Sequence, residues 1–145
     1  MTPRPPRQSD SAYLENLTRK VFISGFAWEP VRNKWPRFRE AFYQFDPGMV
    51  ADMPEPLIEH LCQDAGLIRN RVKIRATVKN GHAFLKIAEE FGSFWDYLRS
   101  LDDLAYEDRA RAIAKRFAAT GPNTVYYFLM DCGEPVPDEK PDGVK

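Results

Sequence analysis

Two cysteines and two histidines are all that the 145 residues hold of the usual soft metal ligands. Cys62 and Cys132 lie far apart, with no thiol or histidine at ligand spacing near either. That argues against a structural metal or disulfide framework, and each cysteine is expected to serve as a small buried apolar group. Net charge is missing too: 21 Lys and Arg face 21 Asp and Glu. No global field draws the chain onto a polyanion, so any nucleic-acid contact must come from local patches. No apolar run approaches the roughly 20 residues of a membrane span, and the N-terminus lacks a signal-peptide core. A soluble, cytoplasmic protein is expected. Sustained alternation of apolar and polar residues is also absent, which argues against a sheet.

What is present is helical punctuation. Residues 1–10, with Pro3, Pro5, Pro6, Arg4 and Arg7, read as a flexible arm. From Ser11 the apolar positions Leu14, Leu17, Val21, Gly25 and Trp28 step by three or four, predicting a helix that stops near Pro30. Pro36 can start a second helix carrying Phe38, Phe42 and Phe45, broken by Asp46-Pro47-Gly48. Asp52 can cap a third helix entered through Pro54 and Pro56 and ended at Gly66. A longer helix follows, with Ile74, Val78, Leu85 and Ala88 as its inner stripe, then core aromatics around Gly92. Amphipathic stretches over residues 106–117 and around Val125, Phe128, Leu129 and Cys132 complete an all-α, single-domain bundle of about seven helices over residues 11–133. Residues 134–145 read as an acidic, Pro-rich, poorly ordered tail.

Two local features suit a phosphate backbone. The run Phe117-Ala118-Ala119-Thr120-Gly121-Pro122-Asn123-Thr124 joins two helical patterns and reads as a helix-hairpin-helix, although a plain interhelical turn has the same look. In the first reading Gly121 permits close backbone approach, Pro122 opens the helix, and the amides of Asn123 and Thr124 face outward at its positive end. The second feature is Arg69, Arg71, Lys73, Arg75 and Lys79, five cations uninterrupted by an acidic residue. Arg69, Asn70 and Arg71 at the loop-to-helix junction are the first candidates for phosphate contact, the remaining cations suiting a solvated face. Arg32, Lys34, Arg37 and Arg39 around Trp35 also read as a solvated face.

Gly25-Phe26-Ala27-Trp28, Phe42-Tyr43-Gln44-Phe45-Asp46-Pro47 and Asp64-Ala65-Gly66-Leu67-Ile68-Arg69-Asn70-Arg71 occur in this order. Together with the Gly121 turn, the set resembles the 3-methyladenine DNA glycosylase I family, within the helix-hairpin-helix DNA glycosylase superfamily. The resemblance runs from about Leu17 to Gly133. It implies a cofactor-free, monomeric enzyme that flips a damaged purine from double-stranded DNA, stacks it on aromatic rings and hydrolyses its glycosidic bond. By the same resemblance Trp28 is the stacking platform, with Phe22 and Phe26 beside it. The family's base-reading glutamate corresponds to Lys20 here, and its zinc ligands have no counterparts, since His60 and His82 lie elsewhere. No metal site is therefore expected.

The catalytic group is less determined. Asp142, or Asp138 slightly nearer the hairpin, stands about where the superfamily carries an aspartate, though both also suit a solvated tail. Such a carboxylate would stabilise an oxocarbenium-like sugar or orient water. Lys20 is the alternative, as an amine nucleophile forming a Schiff base. A binding module of the same fold that has lost base chemistry is the rival reading, and a helical protein-interaction domain a third.

Overall fold

The computed structural model describes residues 5–24 and 28–141. Among them the secondary structure is entirely helical: α1 (Asp10–Ile23), α2 (Trp28–Ala41), α3 (Pro47–Ala51), α4 (Glu55–Cys62), α5 (Arg71–Phe91), α6 (Phe94–Ser100), α7 (Tyr106–Arg116) and α8 (Pro122–Asp131). No described helix is long and apolar enough to cross a membrane. Short polar side chains set the helix starts. Ser9 accepts from the Ala12 amide, Asp46 from Met49, Asn70 from Lys73 and Ser93 from Asp96, each satisfying an amide without an intrahelical partner.

Proline positions account for three departures from the sequence reading. Trp28 opens α2 rather than closing α1, and Pro30 sits in the first turn of α2, where its missing N–H is harmless. Pro36 does not start a helix but lies within α2, leaving one backbone carbonyl without its helical donor. Asp46-Pro47-Gly48 begins a helix instead of ending one, with Asp46 as its cap, while Asp52 closes α3 and Pro54 precedes α4.

Between α2 and α3 the chain makes a tight left-handed turn. Tyr43, Gln44 and Phe45 have φ of 55°, 57° and 60°, a region that costs an L-residue about 1–2 kcal/mol. The turn directs Phe42 and Phe45 inward, both fully buried, and brings Phe45 onto the Trp35 ring at 5.5 Å. Burying two such rings, each worth roughly 1.5–3 kcal/mol, offsets the strain.

The core lies around α1 and α5. Helix α1 packs against α2, α5 and α8, and α5 against α1, α3, α4 and α6. The inner face of α5 is Ile74, Val78, Gly81, Phe84 and Ile87; Leu85, expected inside, is 43% exposed because the face winds past it. Gly81 marks the closest approach: a Cβ there would stand 2.9 Å from Val50 Cγ1 and 3.1 Å from the Ala51 amide of α3. Both cysteines are buried.

The described parts of the two terminal segments, residues 5–9 and 134–141, make specific contacts. Arg7 reaches the Ser93 hydroxyl at 3.4 Å. After α8, Gly133 turns the chain at φ 78°, Glu134 is buried, and Tyr126 donates to the Pro137 carbonyl at 2.9 Å. Lys140 then donates to Asn123 Oδ1 at 2.7 Å, so the segment runs back toward the start of α8.

Candidate functional site

The end of α1, the start of α2 and the end of α8 enclose a cavity of about 370 Å³, within the size range of small-molecule pockets. Trp28 lies on its wall and is 40% exposed. An indole left open at a cavity, in a chain that buries most of its rings, is available to stack on a flat ligand. Trp35, also on the wall, is held more firmly. Its ring stacks on Phe38 at 4.7 Å, its Nε1 donates to Glu15 at 2.8 Å, and Arg19 lies over it at 5.0 Å.

A second cavity of about 340 Å³ adjoins the first and reaches Ser24, Asn123, Thr124 and Tyr127. Lys20, Ile23 and Asp131 line both. Lys20 Nζ donates to Asp131 Oδ2, an ion pair that ties α1 to α8 between the two spaces. The first cavity and the one beside the hairpin therefore share this pair as a common wall.

The other residues expected at the pocket fall differently. Phe22 is fully buried and packs edge-on against Phe38 at 4.8 Å, so it supports the wall from behind and cannot stack on a ligand. Phe26 and Asp142 lie outside the described residues. Asp138 is exposed between the Pro137 and Lys140 anchors, on the segment that returns toward the hairpin.

The hairpin itself is built as its sequence suggests, with one exchange of roles. The left-handed residue is Ala119 at φ 54°, while Gly121 is extended at φ −97° and ψ −178°. A Cβ at Gly121 would meet nothing within 4 Å. Neither backbone conformation nor packing requires the glycine, and the space beside it is open to an outside group. Pro122 follows at the first helical position, leaving the amides of Asn123 and Thr124 without helical acceptors. The side chain of Thr124 is buried, so what it can offer a ligand is its backbone. A residue absent from the sequence reading anchors the turn. Asn80 of α5, 2% exposed, accepts from the Ala118 amide at 2.7 Å and donates to the Ala118 carbonyl at 3.2 Å. A lone asparagine on the buried face of a helix was its only signal.

At the start of α5, Asn70 is spent as the cap, accepting from Lys73 at 3.0 Å. Arg69 is exposed with no ion-pair partner among the described residues, whereas Arg71 pairs with Glu59. Arg75 pairs with both Glu55 and Glu59. The basic run is thus partly neutralised by α4, whose carboxylates lie 12 to 20 residues away in sequence and are brought alongside by the fold. These pairs hold the Glu55 and Glu59 carboxyls below their usual range, chiefly through hydrogen bonds from Arg75 and Arg71 respectively. Around Trp35, Arg37 pairs with Asp64 and Arg39 with Glu15, while Lys34 Nζ donates to the Ala65 and Leu67 carbonyls. Arg32 alone of that group faces the cavity. Lys73 Nζ meets the Ser24 carbonyl at 2.6 Å, which sets the start of α5 against the end of α1.

No group of three or more His, Cys, Asp or Glu among the described residues is arranged to hold a metal ion. The described residues do not fit the zinc site implied by the resemblance. The chain after α8 is instead fastened by Glu134, whose buried carboxylate receives both Arg99 and Arg109.

Residues 4–119 match the model of the methyladenine glycosylase family. The chain is 33% identical over 147 aligned positions to DNA-3-methyladenine glycosylase 1 of Escherichia coli (strain K12), covering 88% of this chain and 79% of that one. Against DNA-3-methyladenine glycosylase of Haemophilus influenzae the identity is 36%, covering 88% and 80%. Among solved structures, a variant of 3-methyladenine DNA glycosylase I in complex with 3-methyladenine superposes with a TM-score of 0.79 at 28% identity, over 96% of this chain and 87% of that one.

Proposed function

The chain belongs to the methyladenine glycosylase family, and from that premise we propose that it excises an alkylated purine such as 3-methyladenine from DNA by hydrolysing the N-glycosidic bond. The observation that carries this reading is Trp28, an exposed indole on a cavity that continues to the open end of the hairpin helix. A flipped base stacks on Trp28. The strand it came from is held by the backbone beside Gly121, by the amides of Asn123 and Thr124, and by Arg69 and Arg71 next to the Asn70 cap. The substrate is double-stranded DNA and the enzyme acts as a monomer in the cytoplasm.

The chemistry asks little of a strong acid. An N3-alkylated adenine is cationic in the nucleotide and leaves as a neutral base, so flipping and water positioning contribute most of the rate. Asp138, on the segment returning to the hairpin, and Asp142 beyond it are the carboxylates proposed to orient water or stabilise the sugar cation. Lys20 is engaged by Asp131, and its role is better matched to holding that partner than to nucleophilic attack.

The test is base release from methylated duplex by wild type, Trp28→Ala, Asp138→Asn and Asp142→Asn. Wild type is expected to release base, and Trp28→Ala to lose at least about tenfold in rate, since stacking is worth roughly 1–3 kcal/mol per base. Salt-dependent duplex binding with no released base would instead identify a DNA-binding module. Borohydride trapping of a protein–DNA adduct that disappears in Lys20→Ala would return the lysine to the chemistry.

A further inference from the structure

One carboxylate stands among the three cations that line the first cavity. Among the described residues, Asp131 is the sole acidic residue lining either of the two adjoining cavities. Its Oδ2 accepts from Lys20, and its Oδ1 has no partner among the described residues, in a side chain that is 50% exposed. Two of the three cations at the first cavity are matched: Lys20 by Asp131, and Arg19 by Glu15 at 3.2 Å. Arg32 is exposed, without an ion pair among the described residues, at the same cavity.

Helix direction adds to this. Asp131 is the last residue of α8, and Ile23, lining the same space, is the last of α1. Both helices present their carbonyl ends, the negative end of the dipole, to the cavity. A flat aromatic wall, an unspent carboxylate oxygen and two helix C-termini form a site for a planar cation. The adjacent unmatched Arg32 suits the phosphate that accompanies it.

The geometry points to Asp131 as the specificity-determining residue for the cationic base, with Lys20 as the tether that fixes its orientation; this rests on the glycosylase reading above. Asp131 Oδ1 accepts from the N–H edge of the alkylated purine and opposes its ring charge, while Trp28 covers the face. Undamaged adenine, being neutral, gains only the hydrogen bond. When the glycosidic bond breaks, its electron pair stays with the base, which becomes neutral while the sugar takes the positive charge. Stabilisation by a carboxylate at the base edge is therefore greatest before the bond breaks. Asp131 selects the lesion and does not speed the cleavage step.

The experiment compares wild type, Asp131→Asn and Lys20→Met in steady-state excision from a duplex carrying a single 3-methyladenine. Undamaged-duplex affinity and thermal stability are measured alongside. Asp131→Asn is expected to raise KM about tenfold or more, the scale of a lost charge-assisted hydrogen bond, with kcat changed less than about threefold and undamaged-duplex affinity unchanged. Lys20→Met, which keeps the carboxylate but frees it, is expected to raise KM by less. An unchanged KM in Asp131→Asn overturns the assignment. So do equal losses in both variants accompanied by a fall in stability, which would make the pair a staple between α1 and α8. A wild type that releases no base would sink the glycosylase reading instead. Calorimetric titration with the cationic 3,9-dimethyladeninium, which keeps the charge of the base in the nucleotide, then decides Asp131 independently of turnover: weaker binding to Asp131→Asn supports it, equal binding overturns it.

Discussion

At the scale of single residues, the glycines separate what the fold needs from what a ligand needs. A methyl group at Gly81 would press on Val50 and on the Ala51 backbone, and backbone does not yield cheaply. Gly81→Ala is expected to lower stability by about 1–2 kcal/mol, overpacking outweighing the better helix propensity, as measured by denaturant unfolding. Gly121→Ala meets no protein atom. Its stability is expected to stay within about 1 kcal/mol of wild type, the worth of a glycine at a helix cap, while affinity for duplex DNA falls at least about fivefold in a titration at fixed salt. Gly121 was readable in the sequence because Pro follows it and two helical patterns flank it. The Asn80 clasp and Asp131 were not, since a polar residue within a helical run has no partner until distant segments are brought beside it.

At the scale of elements, helix types and most starts followed from caps and apolar spacing, and the errors gather where proline can open a helix or interrupt one. The turn at Tyr43, Gln44 and Phe45 shows the limit more sharply. Phe42 and Phe45 were assigned correctly to the core, but nothing in their spacing shows that three consecutive residues turn left-handed to put them there. Gln44 has an exposed side chain and φ of 57°, so glycine relieves its strain without loss of packing. Gln44→Gly is expected to raise stability by about 1 kcal/mol and the β-branched Gln44→Val to lower it, read as opposite shifts of the urea midpoint. Equal shifts of the two would show that the turn is not strained as described.

At the scale of the whole molecule, two buried protonated groups set an upper pH limit. Burial pushes the Cys132 thiol from 9.0 up to about 12, and the Tyr13 phenol from 10.0 up to about 12. Each keeps its proton longer in the folded protein than in the unfolded chain, so the folded state binds more protons between those values. Stability is then complete below about pH 9 and falls as pH rises toward 12. Unfolding midpoints measured between pH 7 and 11 are expected to decline above pH 9, and Cys132→Ser, which removes one of the groups, to flatten that decline. A midpoint constant up to pH 11 would refute this. The acid side carries the opposite sign: the Arg37 guanidinium holds the Asp64 carboxyl below its usual range, a contribution lost only as pH falls through that lowered value. The overall architecture was accessible from sequence because periodicity reports which face is buried. The charge balance was not, because ion pairs such as Arg75 with Glu55 and Glu59 join helices that the linear sequence presents as separately acidic and basic.

Asn80 has a metrical consequence. It fixes the hairpin at a point ten residues along α5 from the Asn70 corner, about 15 Å at 1.5 Å per residue. That interval spans about four base-pair steps of relaxed duplex at 3.4 Å each. On the proposed function both points grip the same duplex, and because they sit on one stiff rod the gauge between them does not adjust to it. A duplex held in that way must conform, and sequences or lesions that make the helix easier to deform are expected to fit at lower cost.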